Sequence, residues 1–203
     1  MTTPERPSNI TETLPESEFP FFAETAQAYL KAFHGAPWYE TDLTIEEVSR
    51  RLNEQASKPG FDGIWIHDGQ GELVCASWYD TPDLGSLQKE QGKPLRDLVE
   101  SLSIQTGAVK LVWQRETIVS PQYQTQGLAL IVKQAITSRL KHAADSYGSP
   151  IIVATRMRDD NVRIIKVNEK VGFERTGVKV ESRKTPGKTH EYWFQLIKPE
   201  NVE

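Results

Sequence analysis

The run Val119-Ser120-Pro121-Gln122-Tyr123-Gln124-Thr125-Gln126-Gly127-Leu128-Ala129 constrains this chain more than any other. An apolar, β-leaning segment precedes it and a long amphipathic pattern follows. A strand must therefore stop at Pro121, and a helix must begin near Gly127. The first turn of such a helix carries backbone N–H groups with no intrahelical partner, at the positive end of the helix dipole. That arrangement favours an anion, and a phosphate-bearing ligand in particular. A tight strand-to-helix turn without a ligand uses the same residues, so the loop by itself leaves both readings open.

The pattern around the loop gives the fold class. Downstream, Leu128, Ile131, Val132, Ala135, Ile136, Leu140 and Ala143 predict a helix of about four to five turns. The short β-branched run Pro150-Ile151-Ile152-Val153-Ala154 reads as a central buried strand. A shorter helix is expected from Asp160 to Val171, broken at Gly172, and then strands from Thr176 to Val180 and from Glu191 to Ile197. Upstream, Phe22, Ala26, Tyr29, Leu30 and Phe33 recur at helical spacing, and Thr44-Ile45-Glu46-Glu47 is a capping box that opens a second helix. Asp68-Gly69-Gln70-Gly71 joins two strand-like runs, Gly63 to His67 and Glu72 to Tyr79, as a hairpin. Thr81 to Gly92 reads as a polar connection. Leu95, Leu98, Val99 and Leu102 mark a short helix, and Ala108 to Val119 a strand interrupted by Arg115-Glu116. The expected architecture is α/β, a mixed sheet with helices on its faces. Residues 1–18 hold hardly any large apolar side chain and read as a disordered tail, which leaves 19–203 as a single domain.

Charge and cysteine content narrow the function classes. A net charge of −4 lacks the dominant basic surface that a nucleic-acid or anionic-membrane binder needs. The one cysteine, Cys75, excludes an internal disulfide and a Cys-based zinc cluster, and its apolar neighbours Leu73, Val74 and Ala76 predict a buried structural thiol. His34, His67, His142 and His190 have no metal-ligand spacing, so no metal is expected. No apolar run is long enough to span a bilayer, and the N-terminus has no basic start followed by an apolar stretch, so the expected setting is the cytoplasm. The oligomeric state is open between monomer and homodimer.

Two segments carry a family likeness. The order Gln124-x-x-Gly127-x-Ala129 resembles the pyrophosphate loop of the GCN5-related N-acetyltransferase (GNAT) superfamily, whose members bind acetyl-CoA. Asn161-Val162-Arg163-Ile164-Ile165-Lys166-Val167-Asn168-Glu169-Lys170-Val171-Gly172-Phe173 resembles the family's later Asn-to-Lys-x-Gly-Phe segment. The element order resembles the acetyltransferase fold from Phe19 to the end, although the family's usual first strand has only a weak counterpart in Asn9 to Leu14. The resemblance implies a transferase, an acetyl-CoA-dependent N-acetyltransferase, with a small-molecule or protein amine as acceptor. It places amides of Gln124, Thr125, Gln126, Gly127, Leu128 and Ala129 on the pyrophosphate, those of Ile118 and Val119 on the pantetheine arm and the thioester, and Asn161 on the coenzyme arm. One departure stands out. Asn168 occupies the position where many members carry a tyrosine acid, and an amide can position a thioester but cannot protonate a leaving thiolate.

The remaining element is a base. An alkylamine is almost wholly protonated at neutral pH, and acetyl transfer needs its free lone pair. Glu116, in the middle of its strand, resembles the position of the family's base and can take that proton directly or through water. A carboxylate paired with Arg115 on the surface is the competing reading. Lys133, Arg163 and Lys166 either meet the nucleotide phosphates or sit on solvated helix faces. Two rival functions follow. A coenzyme-A-binding regulatory module with the same fold would keep the loop but not turn over. A nucleotide-binding α/β protein would prefer ATP or GTP, yet the chain has no Gly-x-x-x-x-Gly-Lys loop.

Overall fold

A computed structural model describes residues 9–12, 22–35, 40–108, 110–182 and 187–200. In chain order these form β1 (Asn9–Glu12), α1 (Phe22–Phe33), α2 (Ile45–Ala56), β2 (Asp62–His67), β3 (Leu73–Asp80), α3 (Leu84–Gln91) and α4 (Lys93–Thr106). They continue with β4 (Lys110–Val119), α5 (Leu128–Tyr147), β5 (Ile151–Arg158), α6 (Val162–Lys170), β6 (Glu174–Glu181) and β7 (Thr189–Ile197). The described strands make one mixed sheet in the order β1-β2-β3-β4-β5-β7-β6, in which β4 and β5 run parallel and every other neighbouring pair antiparallel.

Local chemistry explains most of the boundaries. Thr44 caps α2, its Oγ1 accepting from the Glu47 amide at 3.3 Å, as the capping box requires. The β2–β3 turn is tied by Asp68, whose Oδ1 accepts from the amides of Gln70 and Glu72. The parallel pairing of β4 and β5 buries Ile151, Ile152, Val153 and Ala154 from both sides, which is why that run is uniformly apolar.

Two of the expectations change. Asn9–Glu12 lies within the segment read as a tail, yet it pairs antiparallel with β2, Ile10 opposite Ile66. The rest of 1–18 lies outside the described residues. Thr81 to Gly92 is not an irregular connection, because α3 occupies most of it. Asp83 starts that helix, its Oδ1 accepting from the Ser86 amide at 2.8 Å, and Leu87 buries against Trp113 and Tyr192.

Both faces of the sheet are covered. Above one face, α1 and α2 enclose Trp65, Ala76, Trp78 and Ile118, while α3 and α4 enclose Trp113, Ala154 and Tyr192. On the opposite face, α5 and α6 close over Val74, Cys75, Val112, Val153 and Trp193. Trp65 and Trp78 stack nearly parallel at 6.4 Å between ring centres.

Candidate functional site

The site begins where the sheet opens. β4 and β5 pair from Lys110 opposite Ile151 to Trp113 opposite Ala154, and there the pairing ends. β4 nevertheless runs on to Val119, still laddered to β3, and β5 runs on to Arg158, laddered to β7. The two strands therefore fork after Trp113, and among the described residues the edge of β4 from Gln114 to Val119 faces no strand on that side. Thr155 holds the base of the fork by donating its Oγ1–H to the Gln114 carbonyl at 3.1 Å.

A bulge sits just inside the fork. Tyr79 pairs with Gln114 and Trp78 with Glu116, so Arg115 is an extra residue on β4. It turns its guanidinium to Asp80 and Glu90, with contacts of 2.6 Å to each. The guanidinium expected to pair with Glu116 on the surface is thus engaged by Asp80 and Glu90. Glu116 faces the α1 side, where its charge and that of Glu40 act on Tyr29. Burial first, and then those two carboxylates, hold the Tyr29 phenol well above its usual range.

Beyond Val119 the chain makes one short 3₁₀ turn, Pro121–Tyr123, and crosses to α5. Ser120 and Tyr123 anchor the crossing, the first to the Leu73 carbonyl at 3.0 Å and the second to Asp68 Oδ2 at 2.7 Å. Thr125 and Gly127 both take positive φ, 69° and 83°. Glycine adopts this readily, whereas threonine at such a φ is strained. Alternating left-handed residues turn successive amides toward one side, a concavity suited to anions. No amide from Thr125 to Ala129 donates to a backbone oxygen among the described residues, and α5 has no side-chain cap. The loop thus presents unspent donors at a helix start. Gln124 bridges outward, its Oε1 accepting from Arg163 at 3.1 Å.

Fork and loop open into one cleft of about 1280 Å³. Glu116, Ile118, Val119, Gln124, Thr125, Gly127, Leu128, Ala129, Asn161 and Asn168 all line it; Gln126 does not. The Ile118 side chain packs into the core beneath α1, so only its backbone faces the fork. Asn161 caps α6, accepting from the Ile164 amide at 3.4 Å. Asn168 is 1% exposed, donates to Met157 Sδ at 3.4 Å, and its Oδ1 has no hydrogen-bond partner among the described residues.

The structure adds residues that sequence reasoning did not assign. Lys133 is not on a solvated face. It is 3% exposed, and its Nζ donates to Gln114 Oε1 at 2.7 Å beneath the base of the fork. The Gln114 amide continues to Ser77 Oγ at 3.3 Å, and Ser77 lies 2.9 Å from Thr117 Oγ1. Phe173 covers the ammonium at 5.5 Å from its ring centre. Burial pulls Lys133 down to about 7, opposed by the nearby Cys75 and Glu116. Cys75 is buried and inert, since burial pushes its thiol far up. Trp78 and Tyr79 are core residues. Among the described residues no cluster of three or more His, Cys, Asp or Glu side chains is placed to hold a metal, and no helix is long and apolar enough to cross a membrane.

No protein-family model matches the sequence, and no curated protein matches it. Solved structures do. A ribosomal-protein alanine N-acetyltransferase of Escherichia coli superposes with a TM-score of 0.58 at 13% identity, over 96% of this chain and 98% of that one. An acetyltransferase of the GNAT family from Streptococcus pneumoniae gives 0.60 at 15% identity, over 93% and 98%. A phosphinothricin acetyltransferase of the GNAT superfamily from Sinorhizobium meliloti, in complex with AcCoA, gives 0.60 at 12% identity, over 96% and 91%. At such identities the likeness is one of architecture, and it covers nearly the whole length of each chain. The forked mixed sheet described above is therefore the GNAT acyltransferase fold.

Proposed function

We propose that this chain is an acetyl-CoA-dependent N-acetyltransferase acting as one unit, β1 included, and that an amine attacks the acetyl group directly. The observation that carries the reading is the fork after Trp113 and Ala154, opening toward the loop of free amides from Thr125 to Ala129. A free strand edge suits a ligand arm that carries amide groups of its own, and the loop suits a pyrophosphate. The coenzyme would supply an activated acetyl group. Amides of Ile118 and Val119 would bind its arm and polarise the thioester. Glu116 would take a proton from the acceptor ammonium, and Asn168 would orient the thioester without acting as an acid. No covalent intermediate on the protein is needed, because the one thiol is buried and its pKa raised.

The acceptor would be a small-molecule or protein amine entering from the α1 side, where Glu40 and Glu116 line the cleft; the nearby Glu90 is already held by Lys58 and Arg115. Those two cleft-lining carboxylates favour a cationic partner over nucleic acid. Calorimetric titration tests the coenzyme assignment: acetyl-CoA should bind, and ATP or GTP should not compete with it. Preference for ATP would overturn the reading.

A second reading, a coenzyme-A-binding module without turnover, rests on Asn168. A buried amide stands where the fold's resemblance places an acid. Tight acetyl-CoA binding with no thiol release in the presence of any amine would favour the module.

A further inference from the structure

We propose that Lys133 donates the proton taken up by the departing coenzyme thiolate, filling the role that Asn168 cannot. The proposal rests on the acetyltransferase reading and concerns a residue the family likeness does not assign.

The placement of Lys133 is unusual for its chemistry. A lysine on a long helix normally reaches solvent, since its flexible stem lets the ammonium stay hydrated. Here Nζ is turned inward, under the base of the β4–β5 fork, and is fixed on Gln114 at 2.7 Å. Gln114 is itself held by Ser77 through its side chain and by Thr155 through its carbonyl, so the ammonium has a defined position. Lys133 lines the same cleft as Glu116 and Asn168. No carboxylate forms an ion pair with it among the described residues. A buried ammonium with only a neutral amide as acceptor is costly to hold, which a merely structural contact does not require.

The groups acting on Lys133 are few. Cys75 of β3 and Glu116 of β4 act on it electrostatically, and Phe173 lies over it from the turn after α6; the Tyr79 hydroxyl of β3 is turned to Asp62 instead. Burial dominates these and sets the ammonium near 7, where it can both give and regain a proton. An ordinary lysine near 10.4 would be a weak acid for this task.

The proton balance closes. The bond between amine nitrogen and acetyl carbon forms, and the bond between acetyl carbon and sulfur breaks, leaving the electron pair on sulfur. Sulfur takes the proton from Lys133, which becomes a neutral amine. The acceptor nitrogen loses two protons in all, one through Glu116 and one after attack. One restores Lys133 by way of water, and the other leaves to solvent.

The test compares wild type with Lys133→Met in two assays. With acetyl-CoA and an amine, the variant should lose roughly 10²-fold or more in kcat. It should also lose the high-pH fall in the kcat profile that deprotonation of Lys133 imposes on the wild type. With an acetyl aryl thioester, whose acidic thiol departs without a proton, variant and wild type should have equal rates. Equal losses with both donors, or an unchanged pH profile, would overturn the proposal while leaving the acetyltransferase reading intact. No thiol release by the wild type with any amine would overturn the reading and the proposal together. A measurement on the unmutated protein covers the case where the variant does not fold. Lysine side-chain NMR should show one ammonium titrating near 7 in the free protein. If all lysines titrate at about 10.4, the proposal fails.

Discussion

Glu116 and Arg115 are neighbours in sequence, and the β4 bulge sends them to different partners. Arg115 closes on Asp80 and Glu90, which leaves the Glu116 carboxylate on the cleft beside Tyr29. Replacing Glu116 by Gln keeps its shape and removes its basicity. We expect kcat to fall by about 10²–10⁴-fold, with loss of the low-pH limb of the rate profile. Steady-state kinetics across pH check this, and an unchanged limb removes Glu116 from the mechanism.

Lys133 makes a prediction about stability as well. Its folded pKa, near 7, lies below the unfolded value of 10.5. Between the two, the unfolded chain binds more protons, so the native state gains stability as pH rises through that window. The cost of burying the charge is greatest below about pH 7 and fades toward pH 10.5. Lys133→Met should therefore stabilise the fold by roughly 1–4 kcal/mol at pH 6, and by less at pH 9. Urea unfolding at the two pH values measures the difference. A gap that widens with pH would contradict the burial argument. None of this could be read in the sequence. Leu128, Val132, Ile136, Leu140 and Ala144 form the buried stripe of α5 at a spacing of four, and Lys133 sits beside the stripe like any flanking polar residue. Only the fork, which leaves room for Gln114 and its partner, turns the side chain inward.

Among the elements, legibility followed periodicity. The long pattern from Leu128 and the capping box at Thr44 gave α5 and α2, because each signal repeats or is reciprocated within a few residues. α3 escaped since it has eight residues, includes Gly85, and buries only Leu87, too little for a periodic signal. Its one local mark was Asp83 with Ser86. The strand Asn9–Glu12 carries a single large apolar residue, and its pairing with β2 is a tertiary fact. The divergence of β4 from β5 is likewise set by the bulge and by Thr155, not by any local preference. The loop between β4 and α5 was legible, but the left-handed turn at Thr125 was not. Gly127→Val tests the loop as an element. With φ at 83°, a β-branched residue should distort the amide cradle and weaken acetyl-CoA binding by about tenfold or more, which corresponds to roughly 1–2 kcal/mol. Calorimetry on the folded variant measures it, and undiminished affinity would show that these amides do not hold the pyrophosphate.

At the scale of the whole molecule, the two faces of the sheet divide the work. α5 and α6 bring the loop, Asn161, Asn168 and Lys133 to the fork from one side, while α1 and α3 bring Tyr29, Glu90 and the Glu116 environment from the other. Charge follows the same division. Arg163, bonded to Gln124 of the loop, and Lys166 line the cleft from α6, and Glu40 and Glu116 line it beside Tyr29 of α1. Such a cleft can hold an anionic donor and a cationic acceptor on either side of one strand edge. In the proposed reaction these two meet there and exchange an acetyl group. Its most direct test is thiol release from acetyl-CoA by the purified full chain, measured with and without a panel of primary amines, including polyamines, amino acids and peptides with free N-termini. Release should depend on the amine, saturate with it, and yield the matching N-acetylated product. Saturable acetyl-CoA binding with no amine-dependent release across the panel would contradict the proposed reaction.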